Sequence, residues 1–120
     1  MFVFRRGPGR LTPEQAHART GEGGPAVLLD VREASEWKAG HAPGAVHLAL
    51  SRLLAGAALP PAAQDGPVVA ICRSGHRSRQ AARLLASRGV DAVDVAGGMS
   101  AWTRAGLPVV DGRGQRGRAI

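Results

Sequence analysis

The sequence predicts one α/β domain, a parallel sheet carrying helices on both faces. Short apolar runs at residues 26–30, 45–48, 68–71 and 92–95 alternate with segments of helical pattern. Strands that alternate with helices build parallel sheets through right-handed crossovers. The runs are continuous rather than alternating, as in strands covered on both sides. The chain has 120 residues, 44% of them apolar, which suits a single core.

The elements follow in order. Phe2-Val3-Phe4 is either a short edge strand or a loose end, and Gly7-Pro8-Gly9 breaks regular structure after it. Thr12-Pro13-Glu14-Gln15 starts a helix, with Thr as N-cap, Pro at the first helical position and Gln three residues after the cap. That helix is expected to stop before Gly21. The run at 26–30 ends in a carboxylate, Asp30. A short helix over 33–39 is closed by Gly40, and Arg32 and Glu36, four apart, are placed to pair. A strand over 45–48 and a short helix over 51–55 lead into a surface loop rich in Ala, Pro and Gly at 56–66. The run at 68–71 is the central strand. The helix after it, 76–88, has an apolar face of Ala81, Ala82, Leu84 and Leu85, with Gly89 as a C-terminal stop. A strand at 92–95, a turn at Gly97-Gly98 and a helix over 99–105 complete the pattern. Residues 107–110 pack down. The domain is thus assigned to 1–111, and the Gly- and Arg-rich tail 112–120 is expected to be disordered.

Composition narrows the function. The formal charge is +7, and Lys38 is the single lysine among sixteen cations. Aromatic residues make up only 3% of the chain, so stacking platforms for nucleic acid are lacking and no nucleic-acid partner is expected. One cysteine forms no intrachain disulfide and supports no multi-cysteine zinc site. That fits a reducing compartment, and a cytoplasmic location is expected. Met1-Phe2-Val3-Phe4 is too short for a leader, and the apolar runs are far below membrane-spanning length.

The segment with chemical potential is Cys72-Arg73-Ser74-Gly75-His76-Arg77-Ser78. It lies between the central strand and a helix, so Cys72 sits where a helix offers unpaired N–H groups and the positive end of its dipole. A cysteine there is expected to react as its thiolate. Arg73 and Arg77 add guanidinium groups able to grip oxyanions. A lone cysteine is often an inert core residue, but an inert one needs no such loop. Asp30, Cys72 and Gly97 all fall at the carboxyl ends of strands, the edge at which open parallel sheets bind ligands.

Five motifs occur in order: Leu29-Asp30-Val31-Arg32-Glu33, Glu36-Trp37, Gly40-His41-Ala42-Pro43-Gly44-Ala45-Val46-His47, the Cys72 loop, and Gly97-Gly98-Met99-Ser100-Ala101-Trp102. Together they resemble a single-domain rhodanese over about residues 11–110. The resemblance implies a small sheet of about five strands, in keeping with the pattern. It implies a sulfurtransferase in which Cys72 takes the sulfane sulfur of thiosulfate, carries it as a persulfide and yields it to cyanide, a thiol or a protein acceptor. No cofactor or metal is implied. Arg73, Ser74, Gly75, His76, Arg77 and Ser78 would form the substrate-binding loop, with the two arginines on the donor's sulfonate and His76 pointing outward.

Three alternatives stay open at this point. A persulfide relay between protein partners would use the same loop. Cysteine phosphatases place an arginine six residues after the cysteine, where this chain has Ser78. A non-catalytic scaffold would usually lack the cysteine. Among supporting residues, Asp30 either anchors a loop arginine or an N–H or simply ends its strand. His41 reads as a hydrogen-bonded turn residue. Trp37 and Trp102 read as packing residues, and Gly97-Gly98 as a place where backbone approaches the Cys72 loop.

Overall fold

The computed structural model describes residues 9–120, so the strand considered at Phe2-Val3-Phe4 lies outside the described residues. The order is β1 (Arg10–Leu11), α1 (Pro13–Thr20), β2 (Val27–Asp30), α2 (Ala34–Ala39), β3 (Val46–His47), α3 (Leu50–Leu54), a 3-10 turn (Pro61–Ala63), β4 (Val68–Ile71), α4 (His76–Ser87), β5 (Ala92–Val95) and α5 (Gly98–Arg104). One five-stranded sheet runs β1-β5-β4-β2-β3, and every pairing is parallel. β4 is central, and all its residues are buried. Val-Val-Ala-Ile has no polar side chain to desolvate, so it is the segment that tolerates that place.

Helices cover both faces, as the alternation predicted. On one side Leu29, Val31, Val68 and Ala70 pack against Leu50 and Leu53 of α3 and against Ala81, Ala82 and Leu85 of α4. On the other, Leu28, Val69, Ile71 and Val95 meet Ala16 of α1 and Met99 and Trp102 of α5. The start of α1 forms as expected. Gln15 N donates to Thr12 Oγ1 at 3.1 Å and Thr12 N donates to Gln15 Oε1 at 3.0 Å, so each residue satisfies the other's orphan donor.

Three details differ from the sequence reading. β1 was not anticipated, because two residues carry no period; it exists through its partner, with Arg10 opposite Asp94 and Leu11 opposite Val95. Arg32 does not pair with Glu36. It turns inward, fully buried, and binds Asp30 through Nε to Oδ1 at 2.9 Å and Nη2 to Oδ2 at 2.7 Å. Its Nη2 also donates to the Gly40 carbonyl at 2.6 Å. These bonds join the end of β2 to the end of α2 and meet the cost of burying the pair in part, since Arg32 Nη1 is buried without a partner. Trp37 lies outside the core. It stacks on His41 with ring centroids 3.6 Å apart and on His47 at 5.1 Å, while Trp102 is buried as expected.

The tail expected to be disordered instead folds back. Arg113 N and Gln115 N both donate to Asp111 Oδ1, Gly117 N to the Val109 carbonyl, and Arg118 N to the Ala39 carbonyl. Composition hid this because Gly117, and Gly40 opposite the tail, serve close approach of the backbone. A Cβ on Gly117 would come within 2.6 Å of the Val110 carbonyl carbon, and one on Gly40 would collide with the Arg118 backbone.

Candidate active site

Cys72 stands one residue beyond the end of β4, and the turn that follows is made by Gly75. Gly75 is the N-cap of α4 with φ 105° and ψ −1°, a left-handed conformation that side chains disfavour. That turn aims the Gly75 N–H at Cys72 Sγ, 3.1 Å away. Ser78, one turn into α4, places Oγ 3.4 Å from the same sulfur. The thiol is only 1% exposed, so the sulfur lies at the floor of a cup whose rim is the loop backbone. A sulfur anion on that floor is met by an N–H donor and by the start of a twelve-residue helix.

The cup is braced from two sides. α5 begins against it: Met99 N donates to the Cys72 carbonyl at 2.7 Å and Ser100 N to the Arg73 carbonyl at 3.0 Å. Gly98 makes room for this, since a Cβ there would run into the Cys72 carbonyl oxygen and come within 2.7 Å of the Arg73 carbonyl group. The close approach expected at Gly97-Gly98 is thus centred on Gly98. From the other side, Ser78 Oγ donates to Asp94 Oδ2 at 2.8 Å. Asp94 is 1% exposed and takes two bonds of 3.0 Å from Arg10. Arg10 Nη2 also donates to the Gly75 carbonyl at 2.8 Å. The hydrogen bonds to Asp94 raise the Arg10 guanidinium above its usual value, against an opposing effect of burial.

Sequence reasoning missed Arg10 and Asp94. For Asp94 a signal existed: a carboxylate between Val93 and Val95 in a buried strand demands a partner. For Arg10 there was none, because its position depends on β1 pairing with β5.

The remaining loop residues divide. Arg73 is exposed and takes part in none of the three ion pairs among the described residues. His76 is exposed, with Nδ1 3.2 Å from Ser74 Oγ. Arg77 is held by Glu36 of α2: Nη1 reaches Oε1 at 2.6 Å and Nη2 reaches Oε2 at 3.0 Å. These bonds raise Arg77 and lower Glu36 from their usual values, each against the cost of burial, and the Cys72 sulfur adds to the rise at Arg77. Asp30 anchors no residue of the Cys72 loop. Its carboxylate is spent on the side chain and N–H of Arg32. His41 Nδ1 donates to the Trp37 carbonyl at 2.8 Å, the turn role expected of it. Among the described residues no helix is long and apolar enough to cross a membrane.

Known proteins share this fold. Among solved structures, a rhodanese-related protein from Thermoplasma volcanium is 28% identical with a TM-score of 0.71, over 85% of this chain and 97% of that one. A protein of unknown function from Rhodopseudomonas palustris, described as a possible tyrosine phosphatase, is 28% identical with a TM-score of 0.73, over 85% of this chain and 84% of that one. A thiosulfate sulfurtransferase from Pseudomonas aeruginosa has the same fold at 24% identity and TM-score 0.75; the match takes in 94% of this chain but 22% of that larger one. The sequence itself matches the rhodanese-like domain from residue 12 to residue 105. The loop around Cys72, the strands β2 to β5 and all five helices fall inside that match, with only β1 before it, and the chain belongs to the rhodanese-like domain family.

Proposed function

We propose that the protein is a sulfurtransferase that carries sulfane sulfur on Cys72, taking it from thiosulfate or a similar donor. The observation that carries the reading is the Gly75 N–H aimed at Cys72 Sγ at 3.1 Å on the floor of a cup at a helix start. Sγ attacks the outer sulfur of thiosulfate; the new S–S bond forms as the old one breaks, and sulfite leaves with the electron pair. The persulfide's outer sulfur is then attacked by a thiol, a protein cysteine or cyanide, and Cys72 regains its electron pair. This is covalent catalysis in two displacements, with backbone dipoles already in place for the anion at each stage. Arg73 is the guanidinium open to the sulfonate at the rim. A reducing, cytoplasmic setting is part of this proposal, since the single thiol has to be reduced to attack the donor.

Phosphate-ester hydrolysis is the weaker reading. The position six residues after the cysteine holds Ser78, and Ser78 is buried and bonded to Asp94 rather than facing the rim. The test is intact mass after mixing the reduced protein with thiosulfate and then cyanide. One added sulfur atom, lost with formation of thiocyanate and absent in Cys72→Ser, is the expected result. No sulfur uptake from thiosulfate or from an alkyl persulfide, with turnover of an aryl phosphate instead, overturns it.

A further inference from the structure

The Glu36–Arg77 pair is the feature of the rim that sulfur transfer does not require. Its partners stand 41 residues apart, on α2 and at the start of α4, and their side chains are 16% and 33% exposed. Both terminal nitrogens of the guanidinium are engaged. Glu36 is itself fixed, since Glu33 N donates to its Oε1 at 3.0 Å in the capping box of α2. Arg77 belongs to the loop that turns around Cys72, between Gly75, whose N–H is 3.1 Å from Sγ, and Ser78, whose Oγ is 3.4 Å from it. The other charges near this edge do not replace it. Arg32 is buried against Asp30, Arg10 is bound to Asp94, Glu33 is exposed one turn away, and Arg73 remains at the open side.

We propose that Glu36 is a specificity-determining residue: by occupying Arg77 at the rim it selects against anionic molecules on their way to Cys72 and favours uncharged ones. The inference rests on the sulfur-transfer reading for its meaning, because it makes a dianion such as thiosulfate a poorer donor than a less charged one such as an alkyl or protein-borne persulfide. The physics is a competition. An incoming sulfonate must displace a carboxylate that already makes two charge-assisted bonds, and it meets that carboxylate's repulsion as it does so. A persulfide, having no sulfonate, needs no such exchange.

The test compares wild type with Glu36→Gln. Glutamine keeps an oxygen for the Glu33 N–H, so the capping box and the fold persist. Two ratios are read. One is the rate of Cys72 alkylation by iodoacetate over that by iodoacetamide. The other is kcat/KM for thiosulfate over that for an alkyl persulfide, which carries at least one negative charge fewer. Glu36→Gln is expected to raise both ratios about fivefold at low ionic strength, with the gain shrinking as salt is added. Glu36→Lys is expected to raise them further. Ratios that stay level or fall in both variants overturn the inference. If the alkylation ratio rises while neither protein takes up sulfur from any donor, charge selection by Glu36 stands and the sulfur-transfer reading falls. If sulfur is taken up normally and both ratios stay level, the reverse holds.

Discussion

Arg10 and Asp94, 84 positions apart in the sequence, meet through two hydrogen bonds of 3.0 Å at the end of the sheet. The same guanidinium holds the Gly75 carbonyl, and the same carboxylate holds the Ser78 hydroxyl. A two-residue strand therefore reaches the middle of the reactive loop directly and its last residue through Asp94. Removing Arg10 leaves Asp94 buried with one donor from Ser78. Arg10→Gln is expected to lower stability by about 2 kcal/mol, the range for lost hydrogen bonds to charged groups, and to slow persulfide formation because Gly75 loses its tie. Urea unfolding and the rate of sulfur uptake check this pair of effects. Full retention of both would mean that the brace is idle.

The relation of Arg77 to donor affinity gives a second expectation. Arg77→Ala removes a guanidinium from the rim and leaves Glu36 unpaired, so the charge of that pair goes from zero to −1, which disfavours an anion. The kcat/KM for thiosulfate is expected to fall about tenfold, in line with repulsion by the uncompensated Glu36 carboxylate. The fall for a less charged alkyl persulfide is expected to be smaller. Equal losses for the two donors would place Arg77 in loop architecture alone.

Much of this was readable in the chain, and the remainder was not for definable reasons. The alternation of apolar runs with helical segments gave the parallel sheet, and the Cys72 loop stood out because a helix start beside arginines is an anion site whatever the fold. The Thr12 cap was legible because capping is local. Pairings across the sheet edge were not. Arg32 lies four residues from Glu36, yet Asp30, two residues away, takes it inward, and Glu36 goes to Arg77 across 41 residues. Local spacing favoured one pairing, and burial of Arg32 decided for another. Trp37 packs, as its size suggested, but which rings it packs on was not legible: α2 buries none of its residues, and the indole stacks on His41 and His47.

Gly98 offers a test of how closely α5 must approach the loop. Its φ is +55°, and a Cβ would strike the Cys72 carbonyl oxygen. Gly44 has φ +79° but nothing within 4 Å of its would-be Cβ. Gly44→Ala is expected to cost about 1 kcal/mol in backbone strain. Gly98→Ala adds the collision and is expected to cost at least about 3 kcal/mol, with loss of the Met99 N–H bond to the loop. Thermal and urea unfolding of the two variants separate strain from collision. Only Gly98→Ala is expected also to slow alkylation of Cys72.

The Glu36 carboxyl gives the pH dependence. Arg77 hydrogen bonds, with smaller help from the Glu33 N–H, hold it below its usual value against the opposing effect of burial. A carboxyl lowered on folding adds stability above its unfolded value, about 4.3, and loses that contribution as pH falls through its native value. The difference in urea midpoint between wild type and Glu36→Gln is therefore expected to be level from about pH 6 upward and to close as the pH drops below about 4. Taking the difference cancels the other eight carboxylates, which the two proteins share. Salt is expected to reduce the gap at neutral pH, since the pair is partly exposed. A gap that widens on acidification has the wrong sign for this ion pair and would mean that the Glu36 carboxyl titrates against a different partner.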